Sequence, residues 1–187
     1  MKRILSILLC LVVCMAMMPV GEVFAAGTGS TENYNWKVAG TPVTSDNAGD
    51  ITGDGITVKE GGKVSYDATS NTLTLKDATI KPTSGAGIVC DGNTPVIELQ
   101  GENVIDASGD GISLHDNSVN QLTIKSVDSK GKLTVTGYAG IDCSISQNAT
   151  LTLSNVEVAA TGTTEYGIYA KGDISLNTST SSSVKVR

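Results

Sequence analysis

Basic and catalytic side chains are scarce in this sequence. Arginine occurs only at Arg3 and Arg187, histidine only at His115, and no serine lies in a nucleophile-elbow motif. A Ser/His/Asp hydrolytic site therefore has little to build on, and His115 reads as a turn residue. Good amphipathic helical patterns are also missing, while Thr, Ser, Gly, Asn and Val are plentiful, which points to an all-β chain. With 13 basic against 19 acidic residues the formal net charge is −6. Such a chain is a poor partner for nucleic acid, whose phosphates call for lysine and arginine.

Long apolar runs are confined to the start. Lys2 and Arg3 precede an apolar run from Ile4 to Met18, followed by Pro19 and the small-residue ending Val23-x-Ala25. That order is expected of a secretory signal peptide, spanning residues 1–25. The run falls short of the ~20 apolar residues of a membrane span, so no membrane insertion is expected once it is removed. Neither Cys10 nor Cys14 follows the small residue that a lipid-anchor site requires. Loss of Lys2, Arg3 and Glu22 leaves 11 basic and 18 acidic residues, a net charge of −7. About 160 residues then remain, enough for one domain. The expected location is extracellular, secreted or associated with a cell surface.

The rest of the chain repeats itself. In the stretch Gly85 to Ile105, GAGIVCDGNTPVIELQGENVI, a Gly-Ile step is followed by two short alternating pairs. The step returns at Gly87, Gly111, Gly140 and Gly167, at intervals of 24, 29 and 27 residues. Three segments recur with it. The first holds Ile88/Cys90, Ile112/Leu114, Ile141/Cys143 and Ile168/Ala170. The second holds Leu73/Leu75, Ile97/Leu99, Leu122/Ile124, Leu151/Leu153 and Ile174/Leu176. The third holds Ala78/Ile80, Asn103/Ile105, Leu133/Val135, Val156/Val158 and Val184/Val186. Val64 and Tyr66 take the first-segment place in a less perfect opening coil.

Each pair is spaced by two, so both members face one side of a strand and the residue between them faces the other. Segments too short to form a core alone are satisfied by stacking on their equivalents one coil away. The expected fold is an all-β, right-handed, single-stranded parallel β-helix of about five coils with three short strands per coil. An antiparallel sandwich also suits short strands, but it has no reason to repeat the Gly-Ile step and both pairs in one order. A small N-terminal β cap is expected over residues 34–62, with Trp36 buried in it, because the first coil would otherwise expose an unpaired edge. Residues 26–33 read as a disordered arm, and 63–187 as the helix domain. The chain stops at Arg187 directly after an inward Val-x-Val pair, which suggests an open end or a piece of a longer surface protein.

The stretch KVSYDATSNTLTLKDATI, from Val64 to Ile80 in its core, followed by the Gly-Ile coils, resembles a family of secreted carbohydrate-binding domains from anaerobic Gram-positive bacteria. The resemblance runs from about Trp36 onward. It implies a right-handed parallel β-helix like that of polysaccharide lyases, and a polysaccharide as partner. The motifs that carry it are structural, so they speak for the fold more than for the ligand.

A polysaccharide lyase needs a strong base, usually Arg or Lys, and no basic centre stands out. A glycosidase needs two carboxylates across a sugar; Asp106, Asp110, Asp116 and Asp128 are available but read as turn residues. The expectation is therefore a non-catalytic protein that recognises a plant or cell-surface polysaccharide, with an adhesive module contacting protein as the alternative and a lyase or hydrolase behind both. Sugar recognition calls for exposed aromatic rings beside polar groups. Tyr138, Tyr166 and Tyr169 fit, with Asp142 and Glu165 as the carboxylates; Asp142 and Tyr169 share an outward column with Val89 and Ser113. No cofactor is implied. The Asp-rich loops 46–54 and 106–116 offer oxygen ligands of the kind calcium takes, without a regular ligand spacing.

Two cysteines remain past the leader, Cys90 and Cys143. A disulfide is the usual expectation outside the cell, but both take the same inward position two coils apart. At ~4.8 Å per coil their backbones would stand nearly 10 Å apart, beyond the ~7 Å a bridge tolerates. Two free, buried thiols are expected.

Overall fold

Alternation of β-branched or leucine side chains with polar ones gives strands throughout, and no helix forms among the described residues. The computed structural model describes residues 30–115, 119, 121–128, 130–177 and the strand Val184–Val186. The signal peptide expected over residues 1–25 lies outside the described residues, as does the expected arm up to residue 29. The chain opens with the hairpin β1 (Asn33–Val38) and β2 (Thr41–Thr44), then β3 (Ile56–Asp67), which runs antiparallel to β4 (Thr72–Ile80).

Four three-strand coils follow. They are β5 (Ile88–Cys90), β6 (Val96–Gln100) and β7 (Glu102–Asp106); β8 (Ile112–Leu114), β9 (Gln121–Ser126) and β10 (Lys132–Gly137); β11 (Ile141–Cys143), β12 (Thr150–Ser154) and β13 (Glu157–Gly162); and β14 (Ile168–Ala170), β15 (Ile174–Asn177) and β16 (Val184–Val186). Equivalent strands pair in parallel from coil to coil, so the architecture is a parallel β-solenoid of four turns. One sheet reads β14-β11-β8-β5-β1-β2 and the other β15-β12-β9-β6-β4-β7-β10-β13-β16.

Four particulars differ from the sequence reading. Val64 and Tyr66 do not open a fifth coil: they face Leu75 and Leu73 in the antiparallel β3–β4 pair. The place below β5 is filled instead by β1, antiparallel, with Val38 opposite Ile88, so the antiparallel cap reaches Asp67 rather than ending at 62. The second and third strand columns are joined below the first coil, because β4 pairs with β6 along Thr72–Lys76 and with β7 at Thr79 and Ile80. Asp77, at φ 49°, marks the bend between the two.

The last two are slips of two residues. Ile97 pairs with Ile124, not Leu122, and Val158 and Ala160 stand opposite Leu133 and Val135, where Val156 and Val158 were expected. A slip of two keeps every side chain on its face, whereas a slip of one would turn the core outward. Alternation cannot tell the two registers apart. Loop geometry does: Thr123 N–H donates to the Pro95 carbonyl at 3.0 Å, and Val156 is buried in the corner just before β13.

The inward ladders form one continuous core. Ile88, Ile112 and Ile141, like Leu73, Ile97, Ile124 and Leu153, are buried, each contributing roughly 1.5–3 kcal/mol relative to exposure. Two polar residues sit in the ladders, and both are satisfied: Asn103 Oδ1 accepts from Ala78 N–H at 3.0 Å while its Nδ2 donates to the Gln100 and Lys132 carbonyls, and Ser126, opposite Leu99, accepts from Gly131 N–H at 2.9 Å and donates to Asp128 Oδ1 at 3.0 Å. Cys90 and Cys143 are free and buried, as expected. Burial raises the Cys90 thiol well above its ordinary value and pushes Cys143 up to about 12, the nearby Asp142 charge adding to the latter.

The cap is locked to the first coil through Asn71. Its Oδ1 accepts from the indole N–H of the fully buried Trp36 at 2.9 Å and from the Tyr66 hydroxyl at 2.8 Å, and its Nδ2 donates to the Asp91 carbonyl at 3.0 Å. Burial, with smaller contributions from Tyr34, Asp91, Asp67 and Glu32, pushes Tyr66 up to about 12. Thr31 and Glu32 bond to Asp46 and Ser45 of the cap, so the chain is held from Thr31, within the stretch read as an arm.

Candidate functional site

The Gly-Ile steps build the corner where the site lies. A Cβ on Gly111 would fall on Val135 and 2.5 Å from the Gly140 carbonyl oxygen; one on Gly140 would fall on the Gly167 carbonyl. Those carbonyls receive the Ile112 and Ile141 N–H groups at 3.0 and 2.9 Å, so the backbones of successive coils meet here with no room for a side chain. The residues after Gly111 and Gly140, Ile112 and Ile141, are buried, whereas among those before the glycines Tyr166 is exposed, Asp110 half-buried and Ala139 buried. Asp110, Ala139 and Tyr166 precede Gly111, Gly140 and Gly167, and successive coils stack them.

A cleft of about 280 Å³ opens over this corner, lined by Asp110, Tyr138, Ala139, Asp142, Ser144, Glu165, Tyr166 and Tyr169. All five residues singled out from sequence, Tyr138, Asp142, Glu165, Tyr166 and Tyr169, are among them. The outward column is as read: Val89 beside Ser113, Ser113 beside Asp142, and Asp142 beside Tyr169. Tyr166 and Tyr169 form a tilted ring pair, centroids 5.2 Å apart at 40°, and all three tyrosines are substantially exposed.

Backbone bonds hold neighbouring coils in step. Tyr138 N–H donates to the Gly109 carbonyl at 2.7 Å and its own carbonyl accepts from Glu165 N–H at 2.9 Å. This sets the Tyr138 hydroxyl 3.2 Å from Glu165 Oε1, to which it donates. That bond, with the Glu165 charge, raises the Tyr138 phenol above its ordinary value. Asp142 Oδ1 accepts from Ser144 N–H at 2.7 Å, and Asp110 Oδ1 from Ala139 N–H at 3.2 Å.

Burial first, and the charges of Asp142 and Glu165 after it, lift Asp110 above the usual aspartate range, against the lowering by the Ala139 bond. Among the described residues no lysine, arginine or histidine lines the cleft. Its chemistry is that of ring faces rimmed by hydrogen-bond acceptors.

Three lining residues, Asp110, Ala139 and Ser144, were missed as site residues. Asp110 was read only as a turn residue, although it holds the same place before its glycine as Tyr166. Ser144 lies two residues past Asp142 and so on the same outward face.

The other carboxylates considered do not join the cleft. Asp106 pairs with Lys81 at 2.7 Å, Asp128 accepts from Ser126 and from Lys130 N–H within its own loop, and Asp116 lies outside the described residues. His115 follows β8 directly, its Nδ1 3.7 Å from Asp91 Oδ1. Among the described residues no group of three or more His, Cys, Asp or Glu side chains is placed to hold a metal ion. In the 46–54 loop, Asp46 takes the Thr31 hydroxyl and Asn47 caps Thr44.

The chain matches no family model, no curated protein and no solved structure. The resemblance seen in sequence is thus met at the level of the solenoid, and function has to be argued from the cleft.

Proposed function

We propose that the protein is a secreted, non-catalytic carbohydrate-binding β-solenoid that holds a polysaccharide in the cleft over its Gly-Ile corner. The observation that carries this reading is the convergence of Tyr138, Tyr166 and Tyr169 with Asp110, Asp142 and Glu165 in one open cleft on a rigid coil face. Tyrosine rings cover the apolar face of a pyranose and carboxylates take its hydroxyls. Because the backbone is fixed by coil-to-coil bonds, little ordering cost is added on binding. No lysine, arginine or histidine lines the cleft among the described residues, which supports binding over a lyase reaction that uses such a base, and the leader pattern in residues 1–25 supports secretion.

Affinity electrophoresis on a panel of polysaccharides, with and without calcium, tests this. The folded wild type should be retarded on at least one polymer, and Tyr166→Ala/Tyr169→Ala should migrate as in a blank gel. No retardation on any polymer would remove the reading.

A protein-contacting adhesive module is the second reading, favoured by Ile174 and Leu176. These inward positions of β15 are 46% and 54% exposed at the edge of the sheet, and exposed apolar edges are places where chains pair.

A further inference from the structure

Resting on the carbohydrate-binding reading, we propose that the cleft selects glycans carrying free amino groups, such as de-N-acetylated hexosamine chains, and excludes uronate polymers. The donor and acceptor inventory of the cleft is lopsided. Asp110, Asp142 and Glu165 each commit one oxygen to a bond within the protein, with Ala139 N–H, Ser144 N–H and the Tyr138 hydroxyl respectively. The second oxygen of each carboxylate makes no hydrogen bond or ion pair within the described structure, and an ionised carboxylate can only accept.

The Tyr138 hydroxyl has already spent its proton on Glu165. Donors left to a ligand are the hydroxyls of Tyr166, Tyr169 and Ser144, all neutral. Lys171 follows Ala170, the partner of Cys143 across β11 and β14, but it does not line the cleft.

A uronate entering this site would meet three carboxylates and, among the described residues, no cation. Like charges brought close together repel even in bulk water, and several times more strongly near a protein surface. An ammonium group reverses the sign of each interaction and supplies up to three donors to the spare oxygens. The tyrosine faces favour the same ligand, since a cation held near an aromatic ring is attracted by it. Burial is the largest cause of the upward shift of Asp110, and the charges of Asp142 and Glu165 add to it in the same sense.

The test compares trimers of glucosamine, N-acetylglucosamine and galacturonate by titration calorimetry at physiological salt, with wild type and Asp142→Asn/Glu165→Gln. Each amide keeps the oxygen that accepts from Ser144 or Tyr138, so the fold is retained; should the double variant not fold by circular dichroism, Asp142→Asn alone reads the same quantity. The glucosamine trimer should bind at least tenfold tighter than its N-acetylated twin, the galacturonate trimer should not bind, and the variant should bring the first ratio close to one. Equal binding of the two hexosamine trimers, binding of the galacturonate trimer, or a ratio that survives the substitutions would overturn the charge preference while leaving carbohydrate binding intact. Absence of binding to these trimers and to the whole polysaccharide panel would overturn both.

Discussion

Replacing Gly111 with alanine should destabilise the solenoid far more than a single methyl group would suggest. The added Cβ falls on the Val135 side chain and 2.5 Å from the Gly140 carbonyl oxygen, where ordinary contact begins near 3.4 Å. That oxygen belongs to the ladder, accepting Ile112 N–H at 3.0 Å, so it cannot retreat by the missing distance without breaking the bond. Overpacking of a tight core costs about 1–3 kcal/mol and the net loss of one hydrogen bond about 0.5–1.5 kcal/mol, together roughly 2–4 kcal/mol.

For a chain of this size each kcal/mol lowers Tm by about 2–4 °C, so a fall of roughly 5–15 °C is expected. Gly49→Ala is the matched control: nothing lies within 4 Å of its Cβ, and the smaller unfolded-state entropy should leave it unchanged or more stable by about 0.4–1 kcal/mol. Urea titration followed by circular dichroism measures both. If Gly111→Ala unfolds at the same midpoint as wild type or Gly49→Ala, the close approach of coils at the Gly-Ile step is not what the glycine is for.

Asn71→Ala should lower stability by about 1–3 kcal/mol, since the buried Trp36 indole N–H loses its acceptor at a residue whose φ of 48° also disfavours alanine; the single tryptophan makes this visible as a red-shifted emission on earlier unfolding, and an unaltered transition would contradict it. In a chain starting at Ala26, neither Cys90 nor Cys143 should react with a thiol reagent in the native state and both should react after denaturation, whereas a disulfide found by mass under denaturing conditions would sink the register. Asp110 is held above the usual aspartate range, so the unfolded chain loses this proton at lower pH than the folded one, and stability falls as pH rises through the window between the two values and stays lower above it. Asp110→Asn keeps an acceptor for Ala139 N–H and removes the charge; it should melt above wild type at neutral pH, with the difference shrinking toward zero below about pH 3. A difference independent of pH would refute that reasoning.

Fold and site were legible in sequence to different depths. The inward pairs and the Gly-Ile step gave the coil, because burial on one face imposes a period of two that chance does not repeat in phase. The same period hid the slips at Leu122 and Val156, which alternation permits equally well and which only Pro95 and the corner before β13 decide. Val64 and Tyr66 were misplaced for a related reason: an antiparallel strand alternates as a parallel one does, and direction leaves no mark in a short pattern. The tyrosines were visible because few aromatics occur outside the core. Asp110 was not, because an aspartate before glycine is also what an ordinary turn requires; its place in one column with Ala139 and Tyr166 appears only when corners, rather than strands, are aligned.

The most direct test of the cleft as the glycan site is a heteronuclear NMR titration of the folded protein with the oligosaccharide it retains most strongly. Amide shifts should be largest at Ala139, Asp142, Ser144, Glu165, Tyr166 and Tyr169, with the opposite column at Thr74, Glu98 and Lys125 unmoved. Shifts centred on that column, or spread evenly over the solenoid, would place recognition elsewhere.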